Sequence, residues 1–156
     1  MWLLPARAVP VVRGEAFTHD QLDRLDRARV AAEIQTGVRF AVRVGEVDGD
    51  ADRFAEEALA NLVDLPRNPA VLVLVSPGQR FTQIMTTLGA KSRITDQAAG
   101  LAVLTMTSSF ALGDLVGGIV NGLRQLADAA GPPAPASPHV VAPPVPPAPT
   151  EPTGTR

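Results

Sequence analysis

Six consecutive residues, AVLVLV (residues 70–75), are apolar at every position. A strand with one wet face alternates apolar and polar residues, whereas a strand covered on both faces does not. This segment is therefore expected to be the centre of a sheet, with a layer packed on each side. What flanks it limits the topology. Pro66 and Pro69 bracket a loop before it. Ser76-Pro77-Gly78-Gln79 follows, and proline then glycine suits the two central positions of a type II turn. Residues 80–88 should then run back antiparallel. Upstream, VRFAVRV (residues 38–44) alternates. Val38, Phe40, Val42 and Val44 point one way and Arg39 and Arg43 the other, which predicts a strand with one buried face. A helix over residues 52–63, with Phe54, Ala55, Ala58, Leu59 and Leu62 inward, lies between these strands. Such a connection makes the pair parallel with a right-handed crossover.

Helices close the unit at both ends. Thr18 caps the first, Gln21 stands at the reciprocal capping-box position, and Phe17 can staple the entry. Leu22, Leu25, Ala28 and Ala32 form its inner stripe, and Asp20–Arg24 and Asp23–Arg27 have the favourable i,i+4 order. Gly37 ends the segment. Two more helices are predicted at residues 96–111 and 114–129. The second carries Gly117, Gly118 and Gly122, preceded by Gly113. Each glycine costs up to about 1 kcal/mol against alanine in a helix, so they point to close packing on the sheet. The fold class is α/β: a small mixed β-sheet flanked by helices on both faces. Three stretches divide the chain: an N-terminal lead (residues 1–16) with an edge strand at residues 9–12, an α/β domain (17–130), and a tail (131–156). The tail holds ten of the fifteen prolines. It cannot bury enough apolar surface to offset ordering, so it reads as a disordered Pro/Ala-rich segment with polyproline II character. PPVPPAP (residues 143–149) has the P-x-x-P spacing that docks in aromatic grooves.

Composition removes several function classes. Net charge is −2 and aromatics are 4%, so nucleic-acid binding has no electrostatic footprint. No cysteine is present, which excludes disulfides, thiolate metal sites and a cysteine nucleophile. No apolar run reaches the roughly 18 residues of a membrane span, and the start lacks the charged and apolar regions of a signal peptide. A cytoplasmic location is expected on that basis. Lys91 is the only lysine against thirteen arginines, a bias typical of a GC-rich bacterial genome of actinobacterial type.

With this order of elements the chain resembles a TPM domain, the family of thylakoid acid phosphatase and photosystem II repair proteins, also found in bacterial envelope proteins. The segments that carry the resemblance are FTHDQLDRLDRARVAAEIQTGVRFAV, NPAVLVLVSPGQR, ITDQAA and FALGDLVGGIVNGLRQL. They span residues 17–130. The resemblance implies acidic ligand residues at an aspartate-aspartate-arginine turn and a glycine-x-glycine-x-glutamate stretch. Here the aspartates are Gly78 and Gln79, and only Arg80 matches. The second stretch reads Thr87-Leu88-Gly89-Ala90-Lys91, with lysine for glutamate. Asn68 and Asp96 match. A hard cation needs carboxylate oxygens, so these departures remove the metal-dependent phosphatase chemistry from those positions. The expectation is a non-catalytic binding or interaction module with an unknown protein partner.

Two sets of residues stand out as candidate sites. Arg80, Lys91, Arg93 and Asp96 surround a strand, turn and helix start, where Lys91 and Arg93 near a helix N-terminus would favour an anion. The other reading is a basic turn with Asp96 as a first-turn helix acid. Asp48, Asp50 and Asp52 have the D-x-D-x-D spacing of a calcium or magnesium loop. Arg53 and Leu59 break the EF-hand pattern, and the same aspartates suit a helix N-terminus. If that loop holds a metal, the chain is a phosphatase with a relocated acidic site. His19 and His139 have no spaced partners, and no catalytic residue, Walker A pattern or G-x-G-x-x-G after a strand is present.

Overall fold

A computed structural model describes residues 2–3, 17–47, 49–63 and 68–133. The apolar hexapeptide forms the centre of β3 (Ala70–Ser76), and all of its residues are buried. Among the described residues, four strands make one sheet in chain order: β1 (Trp2–Leu3), β2 (Arg39–Val44), β3, and β4 (Phe81–Thr86). Strands β2 and β3 are parallel, with Phe40 beside Val71 and Val44 beside Val75. Strand β4 returns antiparallel, with Ser76 beside Phe81 and Val71 beside Thr86. The edge strand is β1, with Trp2 beside Arg43. The edge strand expected at residues 9–12 lies outside the described residues, as does the tail beyond residue 133.

Two cores lie on opposite faces of the sheet. On one face, Phe40, Val42, Val44, Val71, Val73 and Val75 pack under α1 (His19–Thr36), α4 (Asp96–Ala111) and α5 (Leu115–Ala130). On the other, Ala41, Leu72 and Leu74 pack under α2 (Ala51–Ala60), which contributes Ala55 and Leu59. The mixed sheet with helices on both faces is as expected. The alternation in β2, however, does not mark a wet face. Arg43 is only 9% exposed. Its guanidinium carbon sits 4.1 Å from the centroid of the Phe54 ring, and its Nη2 donates to the Glu46 carbonyl (3.2 Å). The cation lies over an aromatic face beneath α2, so a charged residue occupies an inward position. Arg39 is exposed and donates to the Leu62 carbonyl (2.7 Å).

Local signals explain the helix ends. Thr18 and Gln21 form the reciprocal capping box at the start of α1. At its end Gly37 takes the left-handed conformation (φ 70°). The buried Thr36 hydroxyl donates to the Ala32 carbonyl (2.7 Å) and accepts from Val38 N–H (3.1 Å). Thus a threonine-glycine pair turns the chain from helix into strand with its polar groups satisfied. The ion pairs of α1 differ from those expected. Arg29, 3% exposed, pairs with Asp26 (2.8 Å) and Glu33 (3.0 Å). Glu33 also accepts from Phe40 N–H (3.0 Å), tying α1 to β2. Arg27 instead donates to the Asp23 carbonyl.

Two further expectations are corrected. The β3–β4 turn is closed by Arg80 N–H donating to the Pro77 carbonyl (3.2 Å). Its left-handed residue is Arg80 (φ 51°), while Gly78 does not have positive φ. The turn thus sits one residue later than a type II turn centred on Pro77 and Gly78. The four residues between paired Ser76 and Phe81 have room for this longer loop. Gly118 and Gly122 of α5 approach α4 rather than the sheet, while Gly117 lies against the N-cap Asp114. A Cβ on Gly118 would lie 2.9 Å from the Ser109 Cβ and 2.8 Å from the Phe110 ring, and one on Gly122 would lie 2.6 Å from Met106.

Candidate functional site

The candidate residues divide between the two ends of the sheet. The loop after β2 and the turn after β3 lie at the carboxyl ends of the parallel strands, where ligands gather in open α/β sheets. There, Gln79 joins the two connections. Val47 N–H donates to Gln79 Oε1 (3.1 Å), and Gln79 Nε2 donates to the Val47 carbonyl (3.1 Å). The buried Ser76 hydroxyl also donates to Oε1 (2.6 Å). A primary amide has the acceptor and donor this pairing needs, whereas a carboxylate has acceptors only. The residue that replaces an aspartate of the resembled family is therefore a backbone clip. It holds Val47, 6% exposed, in the core under α2.

The acidic loop beside it is also tied into the fold. Asp50 is the N-cap of α2 and accepts from Asp52 N–H (3.0 Å). Asp52 accepts from Gln83 Nε2 on β4 (2.9 Å). Asp48 lies outside the described residues. Among the described residues no three His, Cys, Asp or Glu side chains come together as a metal-holding group.

Arg80 is exposed and borders a cavity of about 590 Å³ between the turn and the end of α4, lined also by Ser76, Phe81, Thr82, Thr107 and Phe110. It combines an aromatic wall, hydroxyls and a cation. Phe110 was not distinguishable as a wall residue in the sequence, because a phenylalanine at helical spacing reads as core.

The other candidates sit beyond β4, which is six residues long, or about 20 Å at roughly 3.3 Å per residue. Thr87 starts this end. Its hydroxyl accepts from Ala70 N–H (2.9 Å) and donates to the Asn68 carbonyl (2.6 Å). The short helix α3 (Leu88–Lys91) follows; no separate signal marks it in the sequence. Lys91 is exposed at the rim of a cavity of about 450 Å³ floored by Leu59, Val63, Met85 and Leu88, with Glu56 also lining it. Arg93 faces a helix C-terminus instead of an anion. Its guanidinium donates to the carbonyls of Ala130 (3.3 Å), Gly131 (2.7 Å) and Pro132 (3.0 Å) at the end of α5. There it satisfies orphan carbonyls and complements the helix dipole. Asp96 is an exposed first-turn acid of α4, whose N-cap Thr95 accepts from Ala98 N–H (3.1 Å). The four ligand candidates therefore do not form one site.

Among the described residues, a mixed sheet between one helix and a three-helix layer defines the class: an α/β domain with a cavity at each end of the sheet. The chain belongs to the family described as Domain of unknown function (DUF5130), whose model matches residues 7–127. It is similar to the uncharacterized protein Rv2468c of Mycobacterium tuberculosis strain H37Rv, 33% identical over 116 residues, covering 74% of this chain and 68% of the relative. The uncharacterized protein MT2543 of strain CDC 1551 matches to the same extent. The fold is shared with the BA42 protein of Bizionia argentinensis, with TM-score 0.67 and 20% identity over 77% of this chain and 87% of that one. It is also shared with the N-terminal domain of cg2496 from Corynebacterium glutamicum, with TM-score 0.63 and 14% identity over 86% and 91%. Among the described residues no helix is long and apolar enough to cross a membrane.

Proposed function

We propose that this chain is a non-catalytic, TPM-like binding module for a protein partner. The observation that carries this reading is the Gln79 clip: the side chain at the resembled family's acidic turn makes three hydrogen bonds within the fold. Asp50 and Asp52, the described members of the alternative acidic loop, are likewise used by a helix cap and by Gln83. The experiment is thermal unfolding of the full chain in EDTA, then in millimolar calcium or magnesium. A cation at about one hundred times its Kd adds about 2.7 kcal/mol, a rise of several degrees for a domain of this size. The binding-module reading expects no shift with either ion. A clear rise that is lost in Asp50→Asn would overturn it and restore the metal-dependent phosphatase.

A further inference from the structure

Among the described residues, the side of helix α4 that faces away from the domain is uncharged and rich in leucine. Residues 97–113 contain no Asp, Glu, Lys or Arg. Ala102 and Met106 are buried against the domain, yet Leu101 is 50%, Leu104 63% and Leu112 87% exposed. Gly100, Ser108 and Ala111 are exposed as well. At 3.6 residues per turn these six positions form one uncharged stripe along the outer face, which also carries the exposed Gln97. A solvated helix face normally carries charge, and an uncharged, leucine-rich one marks an interaction surface.

We propose that this face is a homodimer interface, in which α4 packs antiparallel on α4 of a second copy across a two-fold axis. The argument is the order of sizes along the stripe. An axis level with position 106 sets Gly100 against Leu112 of the second copy, Leu101 against Ala111, and Leu104 against Ser108. Every leucine meets a small residue, and the two-fold repeats each contact. That is the self-complementarity an isologous interface requires. Pairing also leaves no buried charge without a partner, because the stripe has none.

Charge argues against a lipid surface as the occupant. Membrane-binding helices carry Lys or Arg beside their apolar face. This stripe is bracketed by Asp96 and Asp114, with no Lys or Arg from residue 94 to residue 123. Area sets the strength. A helix of 16 residues is about 24 Å long and about 10 Å wide. A helix pair of that size buries on the order of 500 Å² in total, below the roughly 1,000 Å² of a stable complex. The dimer is therefore weak and transient, and is sought at high protein concentration.

The test is sedimentation velocity on the full chain from about 10 μM to 1 mM, with L104R beside the wild type. Leu104 is more than half exposed, so the substitution leaves the fold intact, as circular dichroism will verify. Wild type should shift toward the dimer across this range. L104R should stay monomeric, its association weakened at least about tenfold by a charge in an uncharged contact. Register is read separately. The wild type has no cysteine, so oxidation of mixed L104C and S108C chains reports only the new pair. Random pairing of equal amounts gives twice as much mixed dimer as either homodimer, and the proposed register should raise the mixed species well above that ratio. A wild type still monomeric at about 1 mM, a dimer unaffected by L104R, or a mixed species no more than twice either homodimer would each overturn the proposal. So would a monomeric wild type whose α4 face instead binds anionic vesicles in flotation and loses that binding in L104R.

Discussion

Replacing Gln79 by glutamate should convert the clip into a pH-dependent one. The change keeps size and shape, so the difference is chemical. In the wild type, Nε2 donates to the Val47 carbonyl at 3.1 Å. A carboxylate at position 79 can still accept from Val47 N–H and the Ser76 hydroxyl, but its second oxygen would face the carbonyl oxygen. One hydrogen bond worth about 0.5–1.5 kcal/mol is lost, and two acceptors oppose each other. Residue 79 is exposed, so water relieves part of the conflict. The net cost near pH 7 should be about 1–2 kcal/mol, a fall in melting temperature of roughly 4–8 °C for a domain of this length. The sign with pH follows from which form the fold prefers. A protonated acid can donate to the Val47 carbonyl, so the folded state favours the neutral form, and the pKa of the introduced carboxyl rises above its unfolded value of about 4.3. The stability this contributes is fully present below about 4.3 and is lost as pH rises through the folded pKa. Thermal unfolding of wild type, Gln79→Glu and Gln79→Ala from pH 3 to pH 8 reads this directly. The glutamate variant should approach wild type at the acid end and fall away toward neutrality. The alanine variant should keep a constant deficit. A glutamate variant as stable as wild type at pH 7, or one whose deficit ignores pH, would refute the clip.

Other positions give independent outcomes. Arg80→Gly should raise stability by about 0.5–1 kcal/mol, because relief of a left-handed non-glycine residue exceeds the entropy glycine adds to the unfolded chain; urea unfolding measures it. Gly100→Ala meets nothing within 4 Å, whereas Gly118→Ala meets the Ser109 Cβ and the Phe110 ring. Measured by urea at low micromolar concentration, the first should stabilise by about 0.5–1 kcal/mol, while the second should lie about 1–3 kcal/mol below it. Arg93→Met keeps the stem but removes the donors to the end of α5. It should cost about 1–2 kcal/mol, with hydrogen exchange rising first in the last turn of α5.

The fold was legible because its signals are backbone-scale. An unbroken apolar strand, an alternating one and a capping box each follow from a periodicity or a local hydrogen bond. They place β3 at the centre, β2 beside it and α1 at the entry. The errors share a cause. Arg43 reads as a wet-face residue because alternation cannot see Phe54, which arrives from α2 to cover the guanidinium. Gly78 reads as the left-handed turn residue because proline-glycine suits a type II turn, but the loop closes one residue later and places Arg80 there. Gly118 and Gly122 of α5 read as a contact with the sheet, although their neighbours are Ser109, Phe110 and Met106 on α4. In each case the deciding partner lies on another element, beyond the reach of local pattern.

The same limit governs the candidate site, and it bears on how departures from a family pattern should be read. Gly78, Gln79 and Lys91 register in the sequence only as missing acids. In the structure each position differs in what it does. Gly78 has open space around it, and Lys91 is an exposed cation at a cavity rim. Gln79 bonds a loop that a carboxylate could not bond in the same way. A substitution that merely removed a ligand would leave the loop after β2 with one tie fewer, whereas this one supplies both a donor and an acceptor to Val47. A primary amide at position 79 holds the loop without placing a charge there. The cavity beside Arg80 is bounded by that same stiffened turn.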